Sequence, residues 1–140
     1  MIKTVLCIED DSVTQFLNKI ELEDAGFCEK MDEAWNGQVA LDYFEALSKE
    51  PDGLSKAPEI ILLDLNMPVM DGWEFLEIFL DKYPQFADLA KVFVVTSSIN
   101  PADKVRSTNE DSVKGFLSKP LDGAQIEVLN QFIESGIKQI

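Results

Sequence analysis

The hydrophobic residues of this chain form short apolar runs that alternate with stretches in which apolar residues recur at helical spacing. Runs without interior charge predict strands that are buried on both faces, as in the middle of a parallel sheet. Segments that mix apolar and charged residues predict strands at a sheet edge. The buried strands are predicted at Thr4–Ile8, Ile60–Leu63 and Lys91–Thr96, and the edge strands at Cys28–Ala34 and Val113–Ser118.

The amphipathic stretches between and after these strands predict five helices. In the first, Ser12 is the predicted N-cap, and the apolar spacing predicts a buried face made of Val13, Phe16, Leu17, Ile20 and Leu22. Residues 48–58 contain two prolines and a glycine without periodicity, so we predict a surface loop there. The other helices are predicted to begin near Asn36–Gly37, Trp73, Asn100–Pro101 and Asp122, and the last to end near Lys138.

Five strands alternating with five helices predict one α/β domain over residues 1–140, with a parallel sheet covered by helices on both faces. The most apolar strands, which are the first, third and fourth, should lie in the centre of the sheet. This arrangement fits the doubly wound order 2-1-3-4-5. In such sheets ligands bind at the carboxyl ends of the strands, where the strand order reverses.

Composition places the chain among ordinary globular proteins, with 140 residues of which 46% are hydrophobic. Its apolar runs are far shorter than the roughly 20 residues of a membrane span, and its first residues show no signal-peptide pattern. Only two cysteines are present, Cys7 and Cys28, so no disulfide framework is predicted. Together these features predict a cytoplasmic protein.

The net charge of the chain and its lack of histidine exclude several classes of function. A net charge of −14 argues against nucleic acid or an anionic membrane as a direct partner. The sequence contains no histidine, which excludes Ser-His-Asp triads, Cys-His dyads and histidine-ligated zinc. The acidic balance is compatible with a cation site.

Polar residues follow four of the predicted strands. The first strand leads into Glu9 and Asp10, the third into Asp64, the fourth ends at Thr96, and the fifth leads into Lys119. Each residue alone has an ordinary explanation, since acids cap helices and lysines are usually solvated. All strand ends of a parallel sheet lie at one edge, however, so five complementary polar residues are expected to meet there.

The chemistry of this set points to phosphoryl transfer. Three carboxylates at one edge repel one another unless a cation is present, and oxygen ligands without histidine or thiolate suit Mg²⁺. A lysine and a hydroxyl group opposite the metal suit phosphoryl oxygens. An aspartate that attacks phosphorus forms an acyl phosphate.

The chain resembles the receiver domain of two-component response regulators, of the single-domain chemotaxis type, over nearly all its length. The resemblance implies a flavodoxin-like fold and a signalling module that is not an enzyme beyond its own phosphorylation and dephosphorylation. It implies a histidine kinase or histidine phosphotransfer protein as the phosphodonor and an unknown protein as the downstream partner. The matching motifs are Ile8-Glu9-Asp10-Asp11, Asp64-Leu-Asn-Met-Pro-Val-Met-Asp-Gly72, Val95-Thr96-Ser97 and Phe116-Leu-Ser-Lys119-Pro120.

By the same resemblance, Asp64 is the phosphoacceptor, and Thr96 and Lys119 bind the phosphoryl group. Phe116 takes the place of a frequent tyrosine and acts with Thr96 as the switch. The peptide bond between Lys119 and Pro120 is expected to be cis. The expected Mg²⁺ ligands are Glu9, Asp10, Asp64 and the backbone carbonyl of Asn66.

Two other functions are compatible with parts of this pattern. A phosphatase with an aspartyl nucleophile usually carries a second acid two residues after the nucleophile, but that position is Asn66 here. A degenerate receiver would bind partners without phosphorylation, although the complete set of site residues argues against it.

Overall fold

The computed structural model describes residues 2–97, 100–119 and 121–135. Its five strands form one parallel sheet in the order β2-β1-β3-β4-β5, which confirms the predicted doubly wound topology. The order reverses between β1 and β3, so the carboxyl ends of these two strands border the expected ligand crevice. The strands are β1 (Ile2–Ile8), β2 (Cys28–Ala34), β3 (Ile60–Leu63), β4 (Lys91–Thr96) and β5 (Val113–Ser118).

Seven helices lie within the described ranges, five of them long and two of only four residues. The prediction of five helices missed the two short ones, because a single turn is too short to show a period. One of them, α3, lies inside the segment predicted as a loop. The predicted end of the last helix near Lys138 lies outside the described residues. The helices are α1 (Ser12–Asp24), α2 (Gly37–Ser48), α3 (Gly53–Lys56), α4 (Gly72–Lys82), α5 (Pro84–Ala87), α6 (Pro101–Asn109) and α7 (Gly123–Ser135).

Each face of the sheet carries its own hydrophobic core, because successive side chains of a strand point to opposite faces. In β1, Leu6 and Ile8 belong to one core, whereas Val5 and Cys7 belong to the other. The first core is rich in aromatic rings, among them Phe44 of α2, whose ring centroid lies 4.5 Å from that of Phe79 in α4. Both faces are therefore covered, as the apolar strands predicted.

The predicted buried face of α1 is correct at Leu22 but wrong at its first three positions. Val13 and Phe16 are each 62% exposed and Leu17 is 45% exposed, whereas the buried residues of the helix are Gln15, Asn18 and Leu22. The buried face of α1 is therefore largely polar, and its amides bind atoms of β1. The predicted N-cap is also one residue too late, because Asp11 accepts the hydrogen bond from the backbone of Thr14.

None of the described helices combines the length and the apolar character that crossing a membrane requires.

Candidate functional site

Three carboxylates meet where the strand order reverses. Strands β1 and β3 are neighbours with Ile8 opposite Leu63, so the next residues, Glu9 and Asp64, leave the sheet side by side. The backbone N–H of Asp64 donates to the carbonyl of Ile8 at 3.0 Å. One oxygen each of Glu9, Asp10 and Asp64 lies within 4.8 Å of the other two.

The three carboxylates differ in their environment. Glu9 and Asp64 are 2% and 5% exposed, whereas Asp10 is exposed at the mouth of the site. Burial raises the pKa of Glu9 to about 7; the ammonium group of Lys119 opposes this shift, and the nearby Asp64 adds to it. Solvent therefore does little to stabilise the ionised form of Glu9, and a nearby cation such as Lys119 favours it.

Lys119 provides a positive charge inside this cluster. It follows β5, and its side chain crosses the end of β4 to form ion pairs with Glu9 and, at 3.3 Å from its Nζ, with Asp64 Oδ2. Its backbone N–H donates to the carbonyl of Thr96 at 2.8 Å. Burial lowers the pKa of Lys119, but the two carboxylates outweigh burial, so the pKa is raised and the group is a cation. The expected cis peptide bond at Pro120 lies outside the described residues.

The loop between β3 and α4 is packed closely against Asp64. The backbone N–H of Asn66 donates to Asp64 Oδ1 at 3.3 Å, and Gly72 N–H donates to the carbonyl of Leu65 at 3.0 Å. A Cβ atom on Gly72 would lie 2.6 Å from the backbone oxygen of Asp64. Glycine is therefore required here by close approach of two backbone segments, a requirement that the sequence pattern of a turn did not reveal.

Thr96 and Phe116 lie on neighbouring strands at different heights. Thr96 is 2% exposed, ends β4 and lies opposite Ser118, while Phe116 lies opposite Val94, two residues further from the carboxyl edge. The ring of Phe116 is partly buried against the aromatic core. The structure thus brings Glu9, Asp10, Asp64 and Lys119 together, places Thr96 beside them through the backbone of Lys119, and sets Phe116 behind Thr96.

The donor set fits a hard divalent cation. Within the described part of the chain, three carboxylates face the single ammonium group of Lys119 at this site. Carboxylate oxygens are the ligands that Mg²⁺ prefers, and a second cation would balance the excess of negative charge.

Sequence reasoning missed one residue beside the site, Gln15 of α1. Its side chain is 1% exposed and binds the backbone at the ends of β1 and β2. The available signal was the helical spacing of Gln15 and Asn18 with the predicted apolar residue Leu22, which is as regular as that of Val13, Phe16 and Leu17.

The strand order, the acids after β1 and β3, and the hydroxyl and ammonium groups at β4 and β5 define a receiver domain. A family model described as the response regulator receiver domain matches residues 5–130. The chain belongs to this family and is a receiver domain of two-component signalling.

Several known proteins are similar to the chain. The sensor histidine kinase CheAY of Helicobacter pylori is 31% identical over 134 residues, which are 96% of this chain and 15% of that protein. The probable methanogenesis regulatory protein FilR2 of Methanothrix harundinacea is 31% identical, with coverage of 84% of this chain and 72% of that protein. A crystal structure of a two-component response regulator from Cytophaga hutchinsonii superimposes with a TM-score of 0.85 at 27% identity, covering 96% of this chain and 98% of that one.

The extent of these matches differs among the relatives. The chain spans 28% of the regulatory protein SphR of Synechococcus elongatus and 15% of CheAY, so it corresponds to one part of those longer proteins.

Proposed function

We propose that Asp64 accepts a phosphoryl group from a phosphohistidine on a histidine kinase or a histidine phosphotransfer protein. The observation that carries the proposal is the environment of Asp64. It is a buried carboxylate at the point where the strand order reverses, with Lys119 Nζ at 3.3 Å and Glu9 and Asp10 beside it. A carboxylate that lies beside a cation and a hydroxyl group is suited to receive a phosphoryl group.

The transfer is a nucleophilic displacement at phosphorus. A carboxylate oxygen of Asp64 forms a bond to phosphorus while the bond between phosphorus and the imidazole nitrogen breaks, and the electron pair returns to that nitrogen. Lys119 then pairs with the phosphoryl oxygens, and the hydroxyl group of Thr96 donates a hydrogen bond to one of them. The product is an acyl phosphate on Asp64.

The same site would hold Mg²⁺, which neutralises the charge that the phosphoryl group brings to the carboxylates. The exposed position of Asp10 leaves it available to a solvated ion, whereas Glu9 already pairs with Lys119. The residues that would hold the ion are Glu9, Asp10, Asp64 and, through its backbone carbonyl, Asn66.

The output is a change in what the domain binds. Phosphorylation draws Thr96 toward the phosphoryl group, and the partly buried Phe116 turns further inward into the space behind it. This movement alters the surface formed by α6, β5 and α7, which a downstream protein reads. A shift of this kind needs a differential binding free energy of only a few kcal/mol.

The proposal is tested by intact mass after incubation with Mg²⁺ and acetyl phosphate. We expect a mass increase of one phosphoryl group in the unchanged protein and none in D64N. The matched control is D71N in the same loop, because Asp71 caps α4 by accepting from the backbone of Glu74, and asparagine caps helices equally well. Labelling of D64N at the rate of D71N would refute the assignment.

A further inference from the structure

The side chain of Gln15 ties together the ends of two strands beside the cation site. Its Nε2 lies 3.0 Å from the carbonyl oxygen of Cys7, 3.2 Å from that of Glu9 and 3.2 Å from that of Ala34. Cys7 belongs to β1 and Ala34 to β2, while Glu9 is the first acid after β1. One amide group thus reaches three backbone acceptors at the carboxyl edge of the sheet.

The orientation of this amide follows from its surroundings. An oxygen in the position of Nε2 would face three carbonyl oxygens, so the nitrogen must occupy it. The other amide atom, Oε1, is buried and has no hydrogen-bond partner among the residues that the structure describes. Because a buried polar atom without a hydrogen-bond partner is destabilising, Gln15 is a poor choice for stability alone.

The bonds of Gln15 constrain the peptide that carries the first acid. The backbone N–H of Glu9 donates to Ala34 at 3.0 Å, and the carbonyl of Glu9 accepts from Gln15. Both sides of this residue are therefore held before the chain enters α1 at its N-cap, Asp11. Asp10, the exposed acid, lies between these two fixed points.

We infer that Gln15 is a positioning residue for the cation site, an inference that rests on the proposed function. It holds the backbone of Glu9 so that the carboxylates of Glu9 and Asp10 face Asp64. Gln15 does not touch the ion in this arrangement and acts through the backbone. Partners that orient metal ligands in this way typically contribute about 10–100-fold to metal affinity.

A neighbouring amide offers a matched control. Asn18 lies on the same helix face and is 3% exposed, and its Nδ2 contacts Cys7 Sγ at 3.4 Å. Replacing Asn18 by leucine removes a buried polar contact to β1. The hydrogen bond from Gln15 to the carbonyl of Glu9 remains. Q15M and N18L therefore each remove a buried polar contact to β1, but only Q15M should disturb the acids.

The experiment is a calorimetric titration of the purified full chain with Mg²⁺, accompanied by urea unfolding of each variant. For Q15M we expect a Kd for Mg²⁺ that is about tenfold higher or more, and for N18L a Kd equal to that of the unchanged protein. Should Q15M fail to fold, Q15N serves in its place, because its amide is one methylene too short to reach the three carbonyls and should weaken binding similarly.

The outcomes separate the two proposals. Absence of Mg²⁺ binding by the unchanged protein would overturn the metal site of the proposed function, and the positioning role with it. Tight binding by the unchanged protein together with equally tight binding by Q15M, or by Q15N in its place, would overturn only the role of Gln15. Equal weakening in N18L would also overturn it, since the effect would then reflect lost stability.

Discussion

The indole N–H of Trp73 donates a hydrogen bond to Asp103 Oδ1 at 3.0 Å and thereby joins α4 to α6. The guanidinium carbon of Arg106 lies 4.5 Å from the centroid of the same indole ring. Trp73 directly follows Gly72, which rests against the backbone of Asp64. Since Ser107 is the buried residue of α6, this helix has little apolar packing of its own, and Trp73 attaches it to the loop of the proposed phosphoacceptor.

Replacing Trp73 by phenylalanine should weaken this attachment. W73F loses the hydrogen bond to a carboxylate and part of the cation–π contact, so we expect the free energy of unfolding to fall by about 1–3 kcal/mol. The other tryptophan, Trp35, is 43% exposed. W35F should therefore change the free energy of unfolding by less than about 0.5 kcal/mol. Urea denaturation measures both, and equal losses would contradict the role of the indole N–H.

Phosphorylation should move residues far from Asp64 along the chain. We expect the Mg²⁺–beryllofluoride form, which mimics the acyl phosphate, to shift the NMR signals of Phe116 and of α6 as well as those of the loops around Asp64. D64N provides the control, because it should show none of these shifts. Changes confined to the loops around Asp64, with Phe116 unmoved, would exclude the proposed output.

Mg²⁺ should raise the melting temperature of the protein more than NaCl of equal ionic strength. A ligand that binds only the native state adds RT ln(1 + [L]/Kd) to the free energy of unfolding, and Mg²⁺ also relieves repulsion among the carboxylates. D10A should abolish most of the difference, because Asp10 is the exposed acid of the site. Equal shifts by both salts would reduce the effect to general screening.

Val69 offers a test of backbone strain in the loop after Asp64. It is 83% exposed and has a φ of 71°, a conformation that a β-branched residue rarely adopts. V69G should raise the free energy of unfolding by about 1 kcal/mol, because glycine adopts this conformation without strain. The control is V105G, an exposed valine in α6, which should be destabilised because glycine is a poor helix former. A lower free energy of unfolding in V69G would contradict the inference that the backbone of Val69 is strained.

Tyr83 should make the free energy of unfolding depend on pH in the alkaline range. Burial and the hydrogen bond from its hydroxyl group to Glu45 raise the pKa of Tyr83 to about 12, above the value of about 10 in the unfolded chain. The folded state then binds more protons than the unfolded state between these values, so stability should fall as pH rises through this range. Urea unfolding at about pH 9 and about pH 11 should show a smaller loss for Y83F, and an identical loss would contradict the raised pKa.

The strands, their order and the residues at the carboxyl edge follow from the pattern of residues along the chain. An apolar run such as Ile60–Leu63 predicts a buried strand without reference to the flanking sequence, because the strands in the centre of a parallel sheet are buried on both faces. Parallel topology then brings Asp64 and Lys119 to the same edge, although they are far apart in the chain. The roles proposed for these residues rest on that placement and on their chemistry.

Three features depend on how the elements pack in space: the buried face of α1, the need for glycine at position 72, and the contacts of α6 with Trp73. Helical spacing describes two faces of α1 equally well, and the choice depends on backbone acceptors at the ends of β1 and β2, to which the amide of Gln15 donates and an apolar side chain could not. Likewise, the contact between Trp73 and Asp103 depends on how two helices pack, a relation that no local pattern of residues encodes.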